Sequence, residues 1–179
     1  MTGNFFTIGH SNRTFEEFLD LLQASEIDLV VDVRKLPGSD RYPQFNADEL
    51  ASALSENSID FRRAEQLTGR RPVSKDVRFE VNGWWQNRSF HNYADHALSE
   101  EFAEGLAELR EWGKSHRVAI MCSEAVWWRC HRRIIADHLL ANDEPVRHIL
   151  GPRNIDEAKL SEGAQLGDGG FVTYPVAAN

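Results

Sequence analysis

The sequence predicts a single α/β domain with a mostly parallel central sheet, flanking helices and a C-terminal hairpin. Short apolar segments alternate along the chain with segments whose apolar residues recur at helical spacing, a pattern typical of parallel β-α-β units. Residues 28–33, DLVVDV, are almost continuously apolar, as expected of a strand covered on both faces. The chain has 179 residues and is 41% hydrophobic, which fits one domain with a sizeable core.

The predicted strands are short, apolar runs that end in glycine, proline or polar residues. In chain order they are 5–8, 28–33, 59–61, 117–121 and 146–150. A further strand pair is predicted at the C-terminus, where Asp168-Gly169-Gly170 precedes the β-prone residues 171–174. Glycines after an aspartate favour a tight turn, so this segment is expected to form a hairpin.

Helix starts are marked by capping residues. Thr14 with Glu17, and Asn46 with Glu49, have the spacing of a capping box, in which each member accepts a backbone hydrogen bond from the other. Ser99 precedes a third run of helical periodicity that ends near Gly113, and a fourth run covers 134–140.

Residues 69–95 are predicted to be irregular, because Pro72 and Gly83 interrupt any regular spacing. The segment is rich in arginine, asparagine and aromatic residues. Long loops in compact domains are usually lids or binding loops. We therefore expect this segment to cover a binding pocket.

The segment 122–133, CSEAVWWRCHRR, joins a predicted strand to a predicted helix. Ligands of open α/β sheets bind beyond the carboxyl ends of strands, where such segments lie. The segment holds both cysteines of the chain, a carboxylate, an imidazole, three arginines and two tryptophans. It is therefore the strongest candidate for a functional site.

Other polar residues follow neighbouring predicted strands, and a parallel sheet would bring them to one edge, where helix N-termini favour an anion. Cys122 is the candidate nucleophile, and Glu124 and His10 are the candidates for proton transfer. The residues expected to contact substrate are Ser11, Arg34, Trp127, Trp128, Cys130, His131, Arg132 and Arg133. The structural alternatives are that both cysteines only pack in the core and that Asp32 and Arg34 form an ion pair.

Composition excludes several classes of protein. The net charge of −8 argues against coating of duplex DNA. Two cysteines are too few for a disulfide framework. The sequence also shows neither the pattern of a secretory signal nor a run of ~20 apolar residues that could span a membrane. The expected location is therefore the cytoplasm, without membrane association. Seven residues separate the two cysteines, unlike structural zinc sites, so no metal site is predicted from their spacing; the alternative is a mixed Cys/His/Glu site assembled from several loops.

Known reaction motifs do not match this segment. A cysteine phosphatase needs an arginine six residues after its nucleophile, and that position is Trp128. Glycine-rich dinucleotide and phosphate-loop motifs are also missing from the sequence, and the sequence does not identify a cofactor. A strand that ends Asp-Val-Arg, with a cysteine after a later strand, gives only a weak analogy to rhodanese-like sulfur transfer.

The sequence resembles one family along most of its length. The runs that carry the resemblance are TIGHS (7–11), VDVRKLP (31–37), FHNYADH (90–96) and MCSEAVWWRCHRRIIADHLL (121–140). They resemble the bacterial and archaeal family called domain of unknown function 488. The likeness covers about 6–149, with 150–179 as a C-terminal extension of the same domain, and departs at Thr68, where a glycine is expected. It implies an α/β fold and a cytoplasmic location, and it implies no reaction.

We expect an enzyme that acts on a phosphate- or nucleobase-containing substrate at the carboxyl edge of the sheet. The alternative is a non-catalytic module that binds a nucleotide or single-stranded nucleic acid, with aromatic side chains stacking on bases. The residues that support this alternative are Trp84, Trp85, Phe90, Tyr93, Trp127 and Trp128, interleaved with arginines. At least one tryptophan of each adjacent pair is expected to pack in the fold instead. A third alternative is an interaction protein whose polar cluster only holds the fold together.

Overall fold

A computed structural model describes residues 4–38 and 40–176, and it confirms the predicted α/β class. Its main sheet has six strands in the order β3-β2-β4-β1-β5-β6. The first five run parallel, and β6 is antiparallel to β5. The strands are β1 Phe5–Gly9, β2 Leu29–Asp32, β3 Asp60–Arg63, β4 Val118–Cys122, β5 Val146–Gly151 and β6 Asn154–Glu157.

Helices cover both faces of this sheet. They are α1 Phe15–Ala24, α2 Ala47–Ser55, α3 Arg88–His96, α4 Glu100–Trp112 and α5 Arg132–Ala141. Alternate residues of each strand face opposite sides: Ala119 and Met121 pack in the core beside α1 and α2, whereas Ile120 and Cys122 pack in the core beside α3, α4 and α5. The Cys122 side chain is thereby directed to the α5 side of the sheet.

Two of the three predicted capping residues behave as expected. Thr14 and Glu17 form a complete capping box, and the Ser99 hydroxyl accepts a hydrogen bond from the Phe102 N–H. The capping box predicted for Asn46 is wrong. Asn46 occupies the N-cap position of α2, but its side chain makes no capping hydrogen bond.

The irregular structure predicted for 69–95 is wrong over its last third, where α3 begins at Arg88. Asn87 caps this helix by accepting a hydrogen bond from the Phe90 N–H. The buried face of α3 includes Tyr93 and Ala94 but also His91 and Asp95, so polar residues conceal its helical pattern. Strand β6 was also missed, because all four of its residues are exposed and no apolar signal marks it.

The predicted C-terminal hairpin is confirmed. Strands β7 Gln165–Leu166 and β8 Val172–Thr173 are antiparallel, and the turn between them has Gly169 and Gly170 at φ 75° and 81°, a conformation that glycine adopts without strain. Beyond β8, the fully buried Tyr174 donates a hydrogen bond of 2.7 Å to Asp137 of α5. This contact holds Tyr174 against the helix that follows the candidate site.

The connections that leave β2 and β4 diverge. After β2 the chain passes through α2 to β3 on one side, and after β4 it passes through α5 to β5 on the other. A crevice forms beyond strand ends where connections diverge in this way, and it is the usual ligand site of an open α/β sheet.

Candidate functional site

A cavity of about 610 Å³ occupies this crevice, a size typical of small-molecule sites. Three segments of the chain form its walls: residues 34–36 after β2, parts of 69–93, and parts of 122–131. Arg34, Cys122 and Glu124, three residues predicted to share a site, all line this cavity. The segment predicted to cover a pocket also contributes to its wall, through residues that include Arg70 and Phe90.

Cys122 is the last residue of β4, and its position is determined by the neighbouring strand. It pairs with Gly9 of β1, and the backbone turns immediately afterwards so that the Glu124 carbonyl passes over Gly9. A Cβ atom at position 9 would collide with this carbonyl oxygen. Glycine at position 9 therefore allows the loop after Cys122 to turn toward the cavity.

Two groups donate hydrogen bonds to the Cys122 sulfur, which itself lies 3.7 Å from the Glu124 carbonyl oxygen. Cys130 Sγ lies 2.8 Å from Cys122 Sγ and donates a hydrogen bond to it. Arg132 Nη1 donates a second hydrogen bond over 3.3 Å. Arg132 is completely buried, and its Nη2 donates a hydrogen bond to the Ala125 carbonyl over 3.3 Å. A buried cation next to sulfur is a setting that favours the thiolate.

These contacts move the pKa values of the two thiols in opposite directions. Burial alone would raise the pKa of Cys122, but the Cys130 hydrogen bond and the Arg132 charge outweigh it and lower this pKa below its ordinary value. Burial raises the pKa of Cys130 well above the ordinary value, and the hydrogen bond to Cys122 raises it further. The two thiols are therefore unequal: Cys122 is the easier of the two to ionise, and Cys130 holds its proton more tightly.

Arg34 is held at the cavity wall by a buried ion-pair network. The Asp32 carboxylate accepts hydrogen bonds from Arg34 Nε and Nη2, each at 2.9 Å, and from Arg63 Nη1 at 3.0 Å. Asp32 is fully buried and Arg34 nearly so. The ion pair considered as a structural alternative is therefore present, and it orients a residue that also borders the cavity.

His10 lies behind Arg34 and is not among the residues that line the cavity. Its Nε2 is 3.2 Å from Arg34 Nη1, and its ring stacks on Phe45 at 4.4 Å. Burial lowers the pKa of His10 to about 4, so the ring is neutral near pH 7 and Nε2 accepts a hydrogen bond from Arg34. Ser11 is likewise outside the cavity, with its backbone N–H donating to the Ser123 carbonyl.

The two tryptophans of the twelve-residue segment, with Arg129 and Arg133, lie at two separate places. Trp128 and Arg129 are exposed and line the cavity. Trp127 stacks on His148 at 4.5 Å, and the Arg133 guanidinium lies 5.6 Å from the centre of the Trp127 ring. Trp127 and Arg133 were predicted to contact substrate, but they border a different cavity.

His131 also lines the cavity. Burial, followed by the charge of Arg132, lowers the pKa of His131 to about 4, so its ring is neutral near pH 7. Tyr93 packs against this ring at 4.7 Å. The same ring occupies the space next to Gly69, where a Cβ atom would contact it at 2.8 Å.

Three exposed cations also line the cavity: Lys35, Arg70 and Arg129. Glu124 is the one carboxylate among the residues that form its wall. The charged side chains of the cavity wall are therefore mostly positive, whereas the net charge of the whole chain is −8. Lys35, Asn87 and Ser89 also line the cavity but are not among the predicted site residues, although Lys35 follows Arg34 directly and the other two belong to the segment predicted to cover a pocket.

Groups of three or more His, Cys, Asp or Glu side chains that could hold a metal ion are not found in the part of the chain that the structure describes. Within the same residues, none of the helices has the length and apolar character that crossing a bilayer requires.

The sequence was compared with models of known protein families. Residues 14–139 match the family described as domain of unknown function DUF488. The chain belongs to the DUF488 family. The match covers more than two thirds of the chain and includes Arg34, Cys122 and Cys130, so the resemblance predicted from the sequence motifs is confirmed, over a shorter range than the expected 6–149. Searches of curated proteins and of solved structures found no match.

Proposed function

We propose that this DUF488 protein is an enzyme in which the Cys122 thiolate acts as a nucleophile on a phosphate-containing substrate. The observation that carries the proposal is the contact between Arg132 and the Cys122 sulfur, at 3.3 Å on the wall of a cavity. The thiolate is the reactive form of cysteine, and a neighbouring cation increases its population near neutral pH.

The charge of the cavity supports an anionic substrate. Lys35, Arg70 and Arg129 are exposed around it, and arginine and lysine are the side chains that recognise phosphate best. The guanidinium of Arg132 is already engaged by sulfur, so the three exposed cations are the ones available to a bound anion. Glu124, exposed on the same wall, is the candidate for proton transfer to the leaving group.

The pH dependence of alkylation tests the nucleophile. The pKa of Cys122 is lowered and that of Cys130 is raised. The rate at which iodoacetamide labels Cys122 should therefore reach half of its maximum at a pH below about 8.5, the ordinary pKa of a cysteine thiol. Cys130 should be labelled more slowly over the whole pH range. Peptide mass spectrometry follows the two residues separately.

The same assay tests the substrate class. Inorganic pyrophosphate should slow alkylation of Cys122, and Arg129→Met should weaken this protection without changing the pH at half-maximal rate, since Arg129 makes no contact with the sulfur in the described structure. Inertness of Cys122 in the folded protein would exclude nucleophilic catalysis. Rapid alkylation without protection by pyrophosphate would contradict only the proposed substrate class.

A non-catalytic module that binds nucleotides is the second candidate. Trp128 favours it, because this side chain is 45% exposed at the cavity, next to the exposed Arg129. An aromatic ring beside a cation can stack on a base while the cation holds phosphate.

Trp128→Ala should weaken the binding of adenosine monophosphate by roughly 1–3 kcal/mol if the base stacks on this ring. Isothermal titration calorimetry measures the change directly. Phe171→Ala is the control, because Phe171 is 44% exposed and borders another cavity; it should leave binding unchanged. Equal affinities of the wild-type and Trp128→Ala proteins would remove the stacking role.

A further inference from the structure

The two cysteines of the chain form a close pair of unequal thiols, and the proposed nucleophilic attack on a phosphate-containing substrate needs only one of them. Cys130 Sγ is 2.8 Å from Cys122 Sγ, and a disulfide bond is about 2.05 Å long. The two sulfur atoms would therefore have to approach by less than about 1 Å to bond. A nucleophile alone does not require a second thiol at this distance.

The backbone positions of the two residues differ in a way that suits bond formation. Cys122 is anchored in β4, where it pairs with Gly9. Cys130 lies outside regular structure, between the single 3-10 turn Trp127–Arg129 and the start of α5. The Cys130 sulfur can therefore approach a fixed partner by adjustment of a short loop, while the sheet stays unchanged.

Arg132 makes the two sulfurs unequal. Its guanidinium contacts Cys122 Sγ, whereas its backbone N–H donates to Cys130 Sγ at 3.5 Å. Both thiols are nearly buried, yet both line the cavity. A small neutral oxidant can enter such a site without competing for the cations that surround it.

We propose that Cys122 and Cys130 form a redox site that reduces hydroperoxides and becomes an intramolecular disulfide. In the first step the Cys122 thiolate attacks the distal oxygen of ROOH, the O–O bond breaks, and the products are Cys122 sulfenic acid and, after protonation, ROH. In the second step the Cys130 sulfur attacks the sulfenic acid sulfur, the S–O bond breaks, and water leaves with the Cys130 proton.

The balance of the two steps is complete. Two thiols and one hydroperoxide give one disulfide, one alcohol and one water molecule. Each sulfur loses one electron, and the O–O bond gains two. A dithiol reductant such as dithiothreitol returns both cysteines to thiols by thiol–disulfide exchange. This chemistry goes beyond the proposed function and shares with it only the reactivity of Cys122.

The test uses the full-length reduced protein and hydrogen peroxide in small molar excess. Free thiols are then blocked with iodoacetamide, and the protein is digested without reductant and analysed by mass spectrometry. The expected product is one peptide pair joined through Cys122 and Cys130, which dithiothreitol separates. The chain contains only these two cysteines, so no other disulfide can form within one molecule.

Two variants separate the steps. Cys130→Ser should stop at the sulfenic acid of Cys122, which dimedone traps. Cys122→Ser should keep its Cys130 thiol at a peroxide dose that converts most of the wild-type protein. Both variants are compared with the wild-type protein. If either variant fails to fold, the presence or absence of the disulfide-linked peptide pair in the wild-type protein decides the proposal by itself.

Three results would overturn the redox site. They are retention of both thiols in the wild-type protein, oxidation of Cys122 beyond the sulfenic acid while Cys130 stays free, and a disulfide that joins two molecules. Any of these results leaves the proposed function intact if the labelling of Cys122 by iodoacetamide still reaches its half-maximal rate at a pH below the ordinary pKa of a cysteine thiol. Conversely, disulfide formation without protection by pyrophosphate would support the redox site and contradict the phosphate-containing substrate.

Discussion

Replacing Asp32 by alanine is expected to destabilise the fold by about 3–5 kcal/mol, the usual result of removing one partner of a buried ion pair. The Asp32 carboxylate is fully buried and accepts hydrogen bonds from both Arg34 and Arg63. Without it the Arg34 guanidinium, 6% exposed, would remain buried without a counter-charge. The cost arises from that uncompensated charge more than from the lost contacts.

Thermal and urea unfolding measure this loss. For a chain of this size the expected fall in Tm is roughly 6–20 °C. Glu111→Ala is the matched control, because Glu111 pairs with Lys114 on the surface, where the two side chains are about 70% exposed; exposed pairs contribute about 0–1 kcal/mol. The double variant Asp32→Leu with Arg34→Met should recover part of the loss, since it removes both buried charges.

A loss below about 1 kcal/mol in Asp32→Ala would contradict the buried network, because that is the range of an exposed pair. The variant also reports on the cavity. Arg34 is oriented by Asp32 and reaches the Phe45 carbonyl at 2.8 Å, so loss of the carboxylate frees the only arginine that the end of β2 contributes to the wall within the described residues.

Replacing Arg132 by methionine is expected to reduce the rate of Cys122 alkylation at pH 7 by roughly tenfold or more, as when a hydrogen bond to a charged group is lost. The pH at half-maximal rate should rise, because the guanidinium is one of the groups that lower the pKa of Cys122. Methionine is unbranched and apolar, and it fills irregular space in a core without adding a charge.

Two other variants show whether the effect belongs to the sulfur contact. Arg132→Lys keeps a positive charge and should retain part of the reactivity. Arg133→Met removes the neighbouring arginine, whose guanidinium lies over Trp85 at 4.9 Å, and should leave the alkylation profile unchanged. If Arg132→Met and wild-type proteins have the same pH profile while both are folded by circular dichroism, Arg132 does not activate the thiol.

Local periodicity was sufficient to predict most of the fold. The central parallel strands β1, β2 and β4 are buried, mostly apolar runs, as expected of strands covered on both faces. The starts of α1 and α4 follow from Thr14 and Ser99. The end of each parallel strand lies at the same edge of the sheet. The position of a site near Arg34 and Cys122 therefore followed from strand order in the sequence, without any knowledge of side-chain contacts.

Tertiary structure alone decided which side chains meet within that site. Arg132 and Arg133 are adjacent in sequence, but successive helical residues point about 100° apart, so only the docking of α5 determines which guanidinium reaches Cys122. The 2.8 Å approach of Cys130 likewise depends on the path of the loop before α5. His10 contacts Arg34 and Phe45, which belong to other segments of the chain, and it is not among the residues that line the cavity. Local sequence determines which residues lie at the sheet edge, whereas contacts between distant segments determine which of them face the cavity.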